Sequence, residues 1–163
     1  MKNLYVDMDG VLAYWNQDAS IEEVASKGYF LNCAPVRNVI EAIRNLMERE
    51  DVNVTILSSV FNDDHSSEEK LKWLGKYSIN AKALFVPYGA SKSEYLQSEG
   101  IISKNDFLLD DFSKNLHQWH GIGIKMYNHC NGTKGTWHGY SVRNDMPADL
   151  LEKQLYGIMT VAV

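Results

Sequence analysis

Apolar positions along the chain follow two rhythms. Short runs rich in branched residues at 2–6, 52–57, 81–86, 106–109 and 123–127 have the length and composition of strands. Between them apolar residues recur at helical spacing. Val39, Ile40, Ile43, Leu46 and Met47 form one stripe with Arg37, Glu41, Arg44 and Glu48 outside it, which predicts an amphipathic helix covering a sheet face. Ser66-x-x-Glu69 and Ser91-x-x-Glu94 have the form of capping boxes. The first opens a helix through Lys70, Trp73 and Leu74 with a stop at Gly75, the second a helix ending near Gly100. A helix over 113–119 and a last one from Pro147 to about Gly157 follow. Residues 131–144, which carry glycines and Trp137, suit a loop or an edge hairpin.

Strands alternating with helices predict an α/β fold, a Rossmann-like, doubly wound parallel sheet with right-handed crossovers. The length of 163 residues suits one domain, 1–163. Residues 14–34 interrupt the pattern after the first strand with aromatics and a short acidic helix over 18–27, closed by Gly28 and Pro35. They are expected to form a small helical insertion.

Composition narrows the field. Hydrophobic residues make up 45% and charged residues 23%, the balance of a globular protein. The net charge is −5, and no basic block is present to neutralise a run of phosphates, so duplex nucleic acid is not an expected partner. No apolar run approaches the roughly 20 residues of a membrane helix. Met1-Lys2-Asn3 opens no signal-peptide pattern, so the expected location is cytoplasmic. Cys33 and Cys130 are expected as free thiols.

The first strand ends in Asp7-Met8-Asp9-Gly10. In an open α/β sheet, ligands bind beyond the carboxyl ends of the strands. Asp7 and Asp9 end the first strand, Ser58 and Ser59 the second, Asp110 and Asp111 the fourth. Lys92 sits in the first turn of the helix after the third, facing the same edge. Each piece alone has a plainer use: Asp before Gly as a turn, Ser or Asp-Asp as a helix cap, Lys as a solvated charge. Their joint order argues for a site that takes a cation, a phosphate or both. A calcium loop of the EF-hand kind is excluded, because Val11 offers no side-chain oxygen. Zinc at His129, Cys130 and His138 lacks any Cys-x-x-Cys or His-x-x-x-His spacing to support it.

Strand then Asp-x-Asp-Gly, strand then Ser, Lys, and strand then Asp-Asp resembles the haloacid dehalogenase superfamily over about residues 2–127. Within it the chain looks most like the 5'(3')-deoxyribonucleotidases. The supporting stretches are Asp7-Met-Asp-Gly-Val-Leu-Ala13, Gly28-Tyr-Phe-Leu-Asn-x-x-Pro35, Lys70-x-x-Trp73 and Leu108-Leu-Asp-Asp111 followed by Asn115. Two features depart from that family: residues 14–34 make a short cap, and a whole helix separates Lys92 from the acidic pair.

The resemblance implies a Mg²⁺-dependent phosphomonoesterase acting on nucleoside monophosphates, with a small phosphate ester as partner. Asp7 would be the nucleophile and Asp9 the general acid and base. Crowding by Asp7 and bound phosphate would raise the pKa of Asp9. Mg²⁺ would be held by Asp7, the backbone of Asp9, and Asp110 or Asp111 or both. Ser58, Ser59 and Lys92 would bind phosphate. Tyr29, Phe30 and Leu31 fall where that family contacts the base, and they would equally serve to pack the cap. Lys70 would touch the substrate phosphate or, more plainly, pair with Glu68 or a neighbour on its helix surface. The same fold could instead serve another phosphate ester or a non-catalytic binding domain.

Overall fold

Side-chain alternation along the central strands dictates the layering. In β1 (Lys2–Val6), Leu4 and Val6 enter one apolar cluster and Tyr5 another. The split recurs in β2 (Val52–Val60), with Val54 and Ile56 opposed to Leu57, and in β4 (Phe107–Asp110), with Phe107 and Leu109 opposed to Leu108. Strands buried on both faces need cover on both sides. The computed structural model describes residues 1–131 and 136–162. Adding β3 (Lys82–Pro87), β5 (Ile122–Tyr127) and β6 (Tyr140–Arg143), it shows a six-stranded sheet in the order β3-β2-β1-β4-β5-β6, with every neighbouring pair parallel.

The insertion carries α1 (Ile21–Val24) and α2 (Tyr29–Asn32). Behind it, α3 (Arg37–Met47) and α7 (Ala148–Val161) pack against each other and on the Leu4/Val6 face, joined there by Trp73 and Leu74 of α4 (Ser66–Lys76). Leu96 of α5 (Lys92–Ser98) and Leu116 of α6 (Ser113–Gln118) cover the Tyr5 face. The α/β, doubly wound parallel sheet expected from the pattern is the fold observed. Strand order reverses between β1 and β4, so their carboxyl ends open onto the crevice that such a switch point creates. Among the described residues no helix is long and apolar enough to cross a membrane.

Several local expectations need correction. The acidic helix over 18–27 is only the single turn α1, capped by Ser20 and Glu23 in a capping box, and Tyr29–Asn32 adds a second helical turn. Ser66 does not cap α4. Asp63 does so from outside, accepting from the Ser66 N–H at 2.7 Å and the His65 N–H at 3.0 Å, which leaves Glu69 free for another partner. Gly75 lies inside α4, because the stretch from Trp73 to Tyr77 packs against the core and carries the helix past it. Residues 140–143 pair with β5 in parallel, so no hairpin joins them; part of the expected hairpin, 132–135, lies outside the described residues. The last helix passes Gly157 and runs to Val161 because Ile158 and Met159 are buried against the sheet layer.

Candidate active site

The loop that carries Asp7 and Asp9 is built by backbone hydrogen bonds. The Asp7 N–H donates to Leu109 O at 2.9 Å, the last ladder bond between β1 and β4. The Met8 carbonyl then accepts from the N–H groups of Leu12 and Ala13, both at 2.9 Å, folding residues 8–13 into a tight turn. Gly10 has φ +79°, and a Cβ there would be driven into the Asp111 carboxylate. Both the handedness and the close approach demand glycine.

Lys92 bridges two of the acids. Its Nζ lies 2.9 Å from Asp7 Oδ1 and 2.7 Å from Asp110 Oδ2, and its side chain is all but excluded from water. Burial works against its charge, but Asp110 and Asp7 outweigh that and hold its pKa above the usual lysine value. Asp110 is wholly enclosed. Oδ2 also accepts from Asn115 Nδ2 at 2.9 Å, and Oδ1 from the Phe112 N–H at 2.8 Å. Asp111 is half-buried, and its carboxylate accepts from Asn128 Nδ2 at 2.8 Å on Oδ2. Asp110 is therefore occupied by protein donors, while Asp111 keeps capacity for a ligand.

One carboxylate oxygen from each of Asp7, Asp110 and Asp111 lies within 4.8 Å of the others, a candidate cation-holding group among the described residues. At that separation two like charges repel by about 3 kcal/mol at an effective ε of 20. Burial first, then Asp110 and Asp9, push Asp7 up to about 7 against the pull of Lys92. Burial, Asp110 and Asp7 push Asp111 up to about 8 against the Asn128 hydrogen bond. When all three are ionised, these carboxylates exceed the single Lys92 ammonium by two negative charges, the excess that adds to burial in raising the pKa of Asp7 and Asp111 and that a bound cation would neutralise. Oxygen-only donors with that excess fit a hard divalent cation.

Asp9 stands apart from this cluster. Its Oδ2 lies 2.5 Å from Lys70 Nζ and 3.5 Å from Ser58 Oγ. Lys70 is buried, also donating to Ser58 Oγ at 2.9 Å and to the Ser59 carbonyl at 2.8 Å, with its ammonium 4.3 Å from the Phe30 ring centre. It does not pair with Glu68, which takes Lys72 at 2.7 Å. Ser58 is fully enclosed, whereas Ser59 lines the cleft above the acids.

That cleft, about 600 Å³, is lined by Asp7, Asp9 and Asp111 together with Phe30, Phe61 and Tyr88. The rings form a series, Phe30 to Phe61 at 6.3 Å and Phe61 to Tyr88 at 4.8 Å between centres. Tyr29 lies instead on a neighbouring groove of about 660 Å³ with Tyr14 and His129, and Leu31 is on neither lining. Helix α4 ties the insertion to the site. Glu69 Oε1 accepts from the Gly28 N–H at 2.6 Å, Trp73 Nε1 donates to Cys33 O at 2.8 Å, and His65 Nε2 lies 3.1 Å from Ala25 O. Cys33 and Cys130 are both free thiols.

Phe61, Tyr88 and Asn128 are site residues that the sequence analysis did not single out. Each directly follows a strand, at β2, β3 and β5. The strand-end rule that found the acids reaches Asn128 from the expected run 123–127, whereas Phe61 and Tyr88 escape it because β2 and β3 extend past the expected ends at 57 and 86, to Val60 and Pro87.

A family model described as "5' nucleotidase, deoxy (Pyrimidine), cytosolic type C protein" matches residues 15–141, a stretch that starts after Asp7 and Asp9. Among solved structures, a chain of the Pnkp1/Rnl/Hen1 complex is similar in fold, with TM-score 0.56 and 19% identity. The match covers 76% of this chain and 46% of that one, so the chain spans less than half of that relative. No curated protein matches the chain.

Proposed function

The chain belongs to the cytosolic type C family of deoxy (pyrimidine) 5'-nucleotidases, phosphoric monoester hydrolases, and from that premise we propose that it dephosphorylates nucleoside monophosphates, deoxyribonucleotides foremost. The observation that carries this reading is the crevice charge: the grouped carboxylates of Asp7, Asp110 and Asp111, the first two paired with Lys92, beside aromatic rings of the right chemistry for a base.

Asp7 is the nucleophile in this reading. Lys92 and the Met8 N–H, at 2.9 and 2.8 Å, both engage Oδ1, so Oδ2 is the oxygen left to attack phosphorus. The new bond is Oδ2–P, the broken bond is that from phosphorus to the ester oxygen, and the product is an aspartyl-phosphate. Once Lys70 is drawn off it, Asp9 takes up a proton from solvent and gives that proton to the departing alkoxide. It then takes one from the water that attacks phosphorus, releasing phosphate and restoring Asp7. To do so Asp9 must leave Lys70, and the substrate phosphate is the competing anion that draws Lys70 away. Ser59 donates to phosphoryl oxygens from the cleft wall, with Ser58 behind it holding Lys70. Asp7, the backbone carbonyl of Asp9, and Asp111 would hold Mg²⁺, while Asp110 fixes Lys92. When bound, the cation supplies positive charge against the repulsion between Asp7 and phosphate, about 4 kcal/mol per unit-charge pair at 4 Å and an effective ε of 20.

Residues 14–34 act as the cap, entered and left through the Tyr14 N–H to Ala34 O bond at 2.8 Å and the Val36 N–H to Leu12 O bond at 2.8 Å. Phe30 is the cap ring that faces the base, and Phe61 and Tyr88 supply stacking surface from the core. The test is phosphate release from deoxy- and ribonucleoside monophosphates and from sugar phosphates, with Mg²⁺ and with chelator, using Asp7→Asn as control. Cation-dependent release that favours nucleotides supports the reading. Equal release from every ester removes the nucleotide preference, and release surviving Asp7→Asn removes the covalent step.

A further inference from the structure

Asn128 is buried at the end of β5, and every hydrogen-bonding position of its side chain is used. Its Nδ2 donates to the Gly10 carbonyl at 2.8 Å and to Asp111 Oδ2 at 2.8 Å. Its Oδ1 accepts from the N–H groups of Cys130 at 2.9 Å and Asn131 at 3.1 Å. Two backbone donors on one side and two oxygen acceptors on the other fix which end of the amide is which. Asn131 braces the same corner, donating from Nδ2 to the carbonyls of Asp111 at 3.0 Å and Met126 at 2.9 Å. Asn131 Oδ1 accepts from the Asn128 N–H at 2.9 Å.

One side chain therefore holds two loops that approach from different strands. The Gly10 carbonyl belongs to the turn that carries Asp7 and Asp9, and Asp111 follows β4. Nothing covalent joins them nearby, and their side chains repel. Gly10 lets the loops meet, since a Cβ there would strike the Asp111 carboxylate. Asn128 supplies the attraction that keeps them together and fixes which Asp111 oxygen faces the cluster.

We propose that Asn128 is a positioning residue for the cation: by clamping the Gly10 turn to the Asp111 carboxylate, it sets the affinity for Mg²⁺ without touching substrate. This rests on the cation site proposed above. Groups that orient metal-binding carboxylates commonly change metal affinity by 10–100-fold when removed. The same shift is expected here, with the KM for the phosphate ester at saturating Mg²⁺ left near its wild-type value.

The experiment is Mg²⁺ and Mn²⁺ binding by titration calorimetry on wild type, Asn128→Ala and Asn128→Ser, with circular dichroism to verify folding. The Ser hydroxyl still accepts from the Cys130 and Asn131 N–H groups, so that turn survives, but one short hydroxyl cannot bridge Gly10 and Asp111. Cation affinity at least about tenfold weaker in the folded variants supports the proposal, as does recovery of turnover at high Mg²⁺. Wild-type affinity in either folded variant overturns the role of Asn128 alone. A wild-type chain that binds neither cation overturns the site reading and this proposal with it.

Discussion

Lys70 Nζ stands 2.5 Å from Asp9 Oδ2, so the cation carried by α4 is locked onto the second aspartate of the Asp7-Met8-Asp9-Gly10 turn. Because α4 also holds the insertion through Glu69 and Trp73, this contact joins residues 14–34, Asp9 and the end of β2 in one mechanical unit. Lys70→Met leaves the Asp9 carboxylate without its counter-ion. The expected cost is on the order of 3 kcal/mol, the low end for a broken buried pair because Asp9 keeps some water. That corresponds to a melting-temperature drop of roughly 6–12 °C. The double variant Lys70→Met with Asp9→Asn should lose less than the two single losses combined, whereas strict additivity in thermal melts would show that the two residues do not interact.

Asp7→Asn is expected to remove turnover while retaining the fold, since the amide cannot attack phosphorus. Asp9→Asn should keep cation binding and lower kcat by roughly 10²–10⁴-fold, the usual share of a positioned acid or base. Single-turnover phosphate release checks both. Unchanged kcat in Asp9→Asn would take the acid role away from that residue.

Asp7 and Asp111, pushed up to about 7 and about 8, tie stability to pH in the cation-free chain. A carboxyl whose folded pKa exceeds its unfolded value of about 3.9 binds more protons when folded. Stability then falls as pH rises from about 4 through about 8. In chelator, the contribution of these two groups lowers the melting temperature over that range. A cation prefers the ionised carboxylates, so the stabilisation given by Mg²⁺ should grow with pH. Melting curves at several pH values, with and without Mg²⁺, measure the gap; a gap that shrinks with rising pH contradicts the assignment.

Tyr88 and Phe61 pack at 4.8 Å between ring centres beside the acids. Stacking on a base is worth about 1–3 kcal/mol. Tyr88→Ala and Phe61→Ala should therefore lower kcat/KM for nucleoside monophosphates by roughly 5–150-fold and leave ribose 5-phosphate hydrolysis nearly unchanged. Parallel losses on both substrates would mean that the rings only support the fold.

The alternating strand pattern, the parallel α/β architecture and the placement of Asp7, Asp9, Asp110 and Asp111 on one edge were legible in the sequence. Each depends on local periodicity or on the rule that strand ends face one crevice. Helix ends were less legible: Ser66 resembles a cap, but Asp63 reached the free N–H groups first, and burial of neighbouring residues carried α4 past Gly75.

Partnership was decided only in three dimensions. Glu68 or a helix-surface neighbour was the plain partner expected for Lys70, yet Lys70 is buried and Glu68 is not, and a buried ammonium must find Asp9 or lose its hydration uncompensated. The same holds for the acidic pair, adjacent in sequence and different in use. Asp110 points inward to Lys92 and Asn115, while Asp111 points to the crevice, where Asn128 from β5 meets it. The sequence by itself determined which charges reach the crevice. Folding decided which are neutralised by neighbours and which remain for a ligand, because that balance depends on distance and desolvation.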